Sequence, residues 1–413
     1  MKLIILENNL RERLGHFLNS TIGLANEAAL NPLVSKVDVF ANKRASREVL
    51  RLANAQPLFR HVSWHRKTMR TPLASIQELG TLYSRECQKI GTLAATDIIL
   101  VPTAQENQVF GLAMYLESLP PNARPWVVLN FHVDNWTDDA PRKEAIRDAF
   151  LSLEKNGSDK IIVTAQTPAR VAKLSDVCGK IIVRQYPLPQ NYDLCVAADE
   201  PVIMSPDPVI AILGRPMKRK GSADISEVIY KLRERPAKTR FNVQTKITAP
   251  SFLKLLLAKN VSLMIGGLSP QQYGNMLSTA DILMMPYDPE TYRDRTSGIF
   301  CDCAAYGKVA VVPADTWMAG QISEKNAAGV VYEPGVEDGL VDAISHALEN
   351  LAVLRSQAKQ RANYWWQCHS AKAYIDKLLS EIDRDAEISL LRSIGQPAEN
   401  DPLISTDPFR KRL

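Results

Sequence analysis

The stretch SPQQYGNMLSTADILMMPYDPETYRDRTSGIFCDCAAYGKVAVV, Ser269 to Val312, reads as helix, strand, loop, helix, strand. Ser269-Pro270 caps the first helix, because Ser suits the cap and Pro the first helical position. Asp281–Met285 is an apolar run short enough for a buried strand. Past Pro286 the loop carries Asp288, Glu290, Arg293 and Asp294. Thr296, Ser297 and Gly298 then open a second helix, Ile299–Tyr306, which Gly307 ends before the strand Val309–Val312. Two hydroxyls and a glycine at that helix start leave unpaired backbone N–H groups, and the positive end of a helix dipole, at a strand's carboxyl edge. Such an arrangement binds phosphate or another anion. Asp294 and Asp302 flank it, one on either side of whatever the amides hold.

Outward from this stretch the chain alternates strand and helix in both directions. In the first half, Lys2–Leu6, Val37–Ala41, Ile98–Val101, Trp126–Asn130, Ile161–Thr164 and Ile181–Arg184 read as strands. In the second half, Val209–Leu213, Arg240–Gln244, Val261–Ile265 and Val330–Tyr332 do. Near-continuous apolar strands separated by helices predict parallel sheets covered on both faces. Residues 191–207 break the pattern as a proline-rich linker. The expected architecture is α/β, with two doubly wound, Rossmann-like domains at 1–190 and 208–364 facing each other across a cleft. A C-terminal helix at 365–393 crosses back to the first domain, and 394–413 form a loose tail. Ligands of such a fold sit at the strand carboxyl ends.

With 413 residues, 46% hydrophobic and 23% charged, the composition is that of a water-soluble protein of two to three domains. A formal charge of +5 is too mild for a nucleic-acid binder. MKLIIL starts basic and apolar, but Glu7-Asn8-Asn9 ends it too early for a signal peptide. No run approaches the ~18 apolar residues of a spanning helix. Cys87, Cys178, Cys195, Cys301, Cys303 and Cys368 are scattered, which suits a reducing cytoplasm. Cys301 and Cys303 face different sides of one helix, and His61 and His65 lack a third ligand, so no metal site is expected. Arg11, Arg13, Lys43 and Arg44 are candidates for weak peripheral contact with the inner face of a membrane. Scattered solvated charges are the alternative.

A second anion candidate opens the second domain. In VIAILGRPMKRKG, Gly214 and Arg215 follow a strand directly, with Lys218, Arg219, Lys220 and Gly221 behind them. Four cations at a strand's carboxyl end can neutralise a diphosphate. A solvated basic loop is the other reading. The fold brings this loop to the same sheet edge as Thr296–Gly298.

These motifs together resemble the GT-B nucleotide-sugar glycosyltransferases, specifically the large retaining group with a Glu-x7-Glu signature (family 4 type). The resemblance covers the second domain from Gly214 to Val312 well. Over the first it rests on strand order and on GHFLNSTIGLANEAAL, Gly15 to Leu30. The family's G-R-x4-K-G motif is met by Gly214, Arg215, Lys220 and Gly221, and the resemblance assigns the donor's diphosphate to Arg215 and Lys220. The family's two glutamates fall on Asp294 and Asp302, each one methylene shorter. By resemblance Asp302 binds the donor ribose and Asp294 the transferred sugar. The loop from Gly266 meets the base, and His132 faces the sugar across the cleft. A His132 satisfied by its own backbone is the alternative. Gly15 and His16 lie on the loop that members use near acceptor and phosphate, although the doubled glycine often seen there is absent.

The resemblance implies a cytoplasmic, metal-independent glycosyltransferase with no cofactor. It moves a sugar from a nucleoside-diphosphate sugar, UDP- or GDP-linked, to a hydroxyl of a glycan, a lipid-linked or a small-molecule acceptor, with retained anomeric configuration. Two other readings of the same fold are a nucleotide-sugar epimerase or hydrolase, and a catalytically degenerate member that binds a nucleotide sugar or a partner.

Overall fold

The computed structural model describes residues 1–12, 16–63, 73–132, 139–192, 207–214, 217–221, 225–233, 238–248 and 252–393. Its first half alternates β1 (Lys2–Glu7), α1 (His16–Leu30), β2 (Lys36–Asn42), α2 (Arg47–Leu52), β3 (Ala55–Phe59), α3 (Leu73–Cys87) and β4 (Ile98–Val101). It continues with α4 (Glu106–Glu117), β5 (Trp126–Phe131), α5 (Ala140–Gly157), β6 (Ile161–Ala165), α6 (Pro168–Ser175) and β7 (Val183–Gln185). These strands form one parallel sheet in the order β3-β2-β1-β4-β5-β6-β7. The central strands are buried along their whole length, as in IILV and WVVLNF, because helices cover both faces. The short β3 was not foreseen from the sequence. It carries Pro57 and lies at the sheet edge, where a missing N–H is tolerated.

The second half runs β8 (Val209–Ile212), α7 (Ile225–Arg233), β9 (Arg240–Thr245), α8 (Phe252–Leu256), β10 (Val261–Ile265), α9 (Pro270–Thr279) and β11 (Ile282–Met284). Then come α10 (Pro289–Tyr292), α11 (Gly298–Ala305), β12 (Val309–Pro313), α12 (Trp317–Ser323), β13 (Gly329–Tyr332) and α13 (Gly339–Glu349). Its parallel sheet has the order β10-β9-β8-β11-β12-β13. The expected cap of α9 is a full capping box: the Ser269 hydroxyl accepts from the Gln272 N–H, and the Ser269 N–H donates to the Gln272 side chain. Gly307 follows α11 with a φ of 61°, the left-handed residue expected there. In both sheets the strand order reverses at one place, between β1 and β4 in the first and between β8 and β11 in the second. That is where an open α/β sheet offers a crevice.

The C-terminal helical run is two helices, α14 (Leu351–Cys368) and α15 (Ala371–Ser393). The crossover therefore starts at Ala371 rather than at 365, since Trp365 on α14 is buried in the second half's core. Tyr374, Ile375, Leu378, Leu379 and Ile382 of α15 pack with Leu3, Ile5, Leu100 and Val128 of the first sheet. Arg184 on β7 adds an ion pair at 2.9 Å to Glu381 and one at 2.6 Å to Asp385. The break at His369-Ser370 is held by tertiary contacts. The Tyr192 hydroxyl donates to the His369 carbonyl at 2.7 Å, and the Ser370 hydroxyl accepts from the Ala373 N–H. Of the proline-rich linker expected at 191–207, residues 193–206 lie outside the described residues, as do 394–413.

Candidate functional site

Three segments meet at the switch point of the second sheet. β8 ends just before Gly214, whose φ of 97° turns the chain sharply. A Cβ at Gly214 would lie 2.5 Å from the Lys220 ammonium and 2.6 Å from Ile299 in the first turn of α11. Only glycine lets these three come together. Lys220 itself sits at the end of a single helical turn, Lys218–Lys220, closed by Gly221 at a φ of 65°. A Cβ on Gly221 would fall 2.0 Å from the Pro286 carbonyl oxygen, so this turn lies directly against the strand end of β11. The Lys220 ammonium stands 5.2 Å from the centre of the Tyr287 ring.

Lys220 is half-buried, and no carboxylate pairs with it among the described residues. Burial pushes its pKa down to about 8, helped by the positive charges of Arg219 and Arg295. A desolvated ammonium crowded by cations is the environment an anionic ligand would relieve. Beside it, the Ser297 side chain caps α11 by accepting from the Phe300 N–H at 3.3 Å. Gly298 is exposed, and the nearest atom to a Cβ there would be the Gln190 amide nitrogen at 3.9 Å. The first amides of α11 and a side-chain amide thus border the same open space.

Asp302 lies within α11 and accepts a hydrogen bond from the Tyr273 hydroxyl at 2.5 Å. Burial raises its pKa to about 6, and the Tyr273 hydroxyl partly offsets that rise. Asp294 reaches the first half of the molecule, where its carboxylate pairs with Lys173 of α6 at 3.1 Å. The Thr167 hydroxyl, at the cap of the same helix, donates to the Asp294 carbonyl at 3.1 Å. Residues from both domains therefore hold the Asp294 loop, and the two domains touch there. Neither Lys173 nor Thr167 was singled out from the sequence.

Gln244 is a further residue that sequence reasoning missed. Its carbonyl oxygen accepts from the Gly214 N–H at 2.7 Å and its amide donates to the Gly266 carbonyl at 2.8 Å. One side chain thus ties the loop after β8 to the loop after β10. Gly266, at a φ of 88°, is exposed with open space around its Cα, so a flat ligand could approach its backbone.

His132 lies half-buried just past β5, with its Nε2 3.2 Å from the Asn130 side-chain nitrogen. Asn130 is fully buried and also donates to the Pro102 carbonyl and accepts from Thr164 and Gln166. Close to the first sheet's own switch point stands Glu7, another group with no signal in the sequence. It is buried, and its carboxylate accepts from the Asn9 N–H and side-chain amide, both at 3.1 Å. Burial raises its pKa to about 7, with Thr103 and Asn9 holding it down in part.

Arg215, Gly15, Arg13 and His65 lie outside the described residues, and His16 is the first residue of α1. Among the described residues no group of His, Cys, Asp and Glu could hold a metal ion. Cys301 and Cys303 are both buried in the second domain's core. Lys43 and Arg44 are exposed, whereas Arg11 is half-buried. No described helix is long and apolar enough to cross a membrane.

No family model matches the chain, and no curated protein does. Solved structures match along nearly its whole length. The α,α-trehalose 6-phosphate synthase of Burkholderia multivorans aligns over 95% of this chain and 98% of its own, at a TM-score of 0.66 and 12% identity. The sucrose-phosphate synthase of Thermosynechococcus elongatus aligns over 94% and 99%, at 0.62 and 14%. The Anabaena HepE protein, in complex with UDP-glucose, aligns over 93% and 100%, at 0.58 and 12%. The chain has the GT-B fold: two Rossmann-like domains across a cleft, with a C-terminal helix returning to the first.

Proposed function

We propose that this chain is a glycosyltransferase that uses a nucleoside-diphosphate sugar. The observation that carries the reading is the desolvated Lys220 ammonium, without a carboxylate partner among the described residues, beside Gly214 and the open amino end of α11 at the second sheet's switch point. The fold likeness to HepE, solved with UDP-glucose, supports a UDP-sugar as the first donor to test.

In this reading Lys220, Arg215 and the amides at Ser297 and Gly298 neutralise the departing diphosphate, and Gly214 lets it approach the backbone. Preorganised charge of that kind is the main requirement of the reaction. Asp302 binds the ribose hydroxyls, Thr296 lines the same pocket, and the backbone at Gly266 meets the base. Asp294 and His132 orient the sugar from opposite sides of the cleft, and the reading gives Gly15 and His16 a role toward the acceptor. The acceptor hydroxyl attacks C1 on the face from which the nucleotide leaves. The new C–O bond forms as the C1–phosphate oxygen bond breaks, the hydroxyl proton passes to that phosphate oxygen, and configuration is retained. The reading assigns the leaving group's charge to the protein's own cations.

A thermal-shift panel of UDP, GDP, ADP, TDP and their sugar conjugates tests it. A ligand of the folded state at a hundredfold excess over its dissociation constant adds about 2.7 kcal/mol of apparent stability. The expected result is a clear shift with one nucleotide, lost in Lys220→Ala. No shift with any member of the panel overturns the reading.

A further inference from the structure

Between residues 235 and 280 the chain contains no aspartate or glutamate, yet it holds Arg235, Lys238, Arg240, Lys246, Lys254 and Lys259. The described part of this stretch builds one edge of the second sheet, with β10 as the outermost strand and α8 connecting β9 to it. Leu255 of α8 is buried in the core below, as an amphipathic helix requires. The outward residues are not all polar, however. Leu253 and Leu256 are 72% and 58% exposed, and Leu257, directly after the helix, is 83% exposed. Ile247, just past β9, is 66% exposed, and Ile265, at the end of β10, is 51% exposed. Thr245 pairs with Ile265 across the two parallel strands, so Ile247 and Ile265 emerge at the same end of this edge. Lys246, Lys254 and Lys259 are exposed around them, and none makes an ion pair with a described residue.

Single exposed leucines need no explanation, but several on one edge, in a segment that itself carries no acid, do. We infer that this edge docks on an anionic lipid surface. Leucine and isoleucine side chains that enter the headgroup region, ringed by lysines whose stems are apolar and whose ammonium groups reach phosphate, are what an interfacial segment presents. A second copy of the chain is disfavoured as occupant, because two such edges would oppose like charges. The docking itself does not depend on the glycosyltransferase reading. Gly266 lies on this edge and is tied through Gln244 to the Lys220 pocket, so docking would set that pocket beside the lipid surface. In the proposed reaction this favours a lipid-linked acceptor.

The test is sedimentation of the full chain with phosphatidylcholine vesicles, with and without phosphatidylglycerol, at low and high salt. Two exposed-surface variants are compared, Leu253→Ser/Leu257→Ser and Lys246→Gln/Lys254→Gln/Lys259→Gln. Wild type should bind only phosphatidylglycerol vesicles, and less at high salt. Each surface lysine contributes about fivefold to partitioning, so the triple variant should bind at least tenfold more weakly. The leucine variant should lose binding as well, while both keep the wild-type melting temperature and nucleotide shift. Three results would overturn the inference: no binding to phosphatidylglycerol, variants that bind like wild type, or a concentration-dependent dimer that the leucine variant abolishes.

Discussion

Replacing Lys220 by Met should make the protein more stable and a worse nucleotide binder at the same time. In the empty, folded chain the ammonium is carried at a cost, which is why its pKa falls from 10.5 to about 8. That gap corresponds to about 3 kcal/mol. Between those two pH values the folded chain binds fewer protons than the unfolded one, so wild-type stability rises with pH through that window. Met keeps the stem's packing and removes the charge. It should therefore gain up to about 3 kcal/mol at pH 7 and nothing above pH 10.5. With a diphosphate bound the balance reverses. Losing one partner of a buried charge pair costs about 2–5 kcal/mol, roughly thirtyfold to several thousandfold in affinity. Urea unfolding at pH 7, together with UDP titration by calorimetry from pH 7 to 9.5, separates the two effects. In wild type the dissociation constant should climb once pH passes about 8, because the empty site loses the proton that the bound site keeps. In Lys220→Met affinity should be weak and independent of pH. A variant less stable than wild type at pH 7, or one that binds UDP with wild-type affinity, would refute the placement of the cation.

Gly221→Ala should disorder the Lys220 turn, since the residue has a φ of 65° and its new Cβ would fall 2.0 Å from the Pro286 oxygen. A loss of about 1–3 kcal/mol in urea unfolding, together with loss of the nucleotide shift, is expected. In Asp302→Asn the effect depends on pH. Burial raises the Asp302 pKa from 3.8 to about 6, so wild-type stability falls as pH rises across that range, and the variant should lack that fall when midpoints are compared at its two ends. Lys173→Met removes an ion pair whose side chains are 46% and 29% exposed. It should cost under about 1 kcal/mol of stability yet raise the donor KM, as steady-state kinetics would show. A large loss of stability with unchanged KM would mean the pair is purely structural.

The parts of the fold that could be read from the sequence are those where one local pattern decides the outcome. The runs IILV and WVVLN read as buried strands and Ser269-Pro270 as a helix start, and each forms that element. The break between α14 and α15 was missed because CHSAKAY contains neither glycine nor proline, although Ser370 as a cap was a readable sign. In the candidate site, Gly214 and Ser297 were legible as local backbone devices next to a strand end, and Lys220 as one of a run of cations behind Gly214. Gln244, Lys173 and Glu7 were not. The meaning of each depends on what the topology sets opposite it: Gly266 for Gln244, a loop of the other domain for Lys173, and a buried strand terminus for Glu7. A polar residue in isolation reads as solvated, and nothing within a few positions of these three says otherwise.

The two carboxylates make the same point at the level of chemistry. Asp294 and Asp302 are both a methylene shorter than the Glu of the family that the sequence resembles, and the structure treats them differently. Asp302 is fixed within the second domain by Tyr273, so its position does not depend on the first domain. Asp294 is held from the other side, by Lys173 and Thr167, so its position is a property of how the two domains meet. If Asp294 orients the sugar, that contact couples closure of the cleft to assembly of the sugar site. Lys173, itself a cation, would then offset the negative charge that a carboxylate brings next to a diphosphate. In the proposed reaction the distance from such a carboxylate to the ligand would depend on how the two domains meet as well as on the length of the side chain.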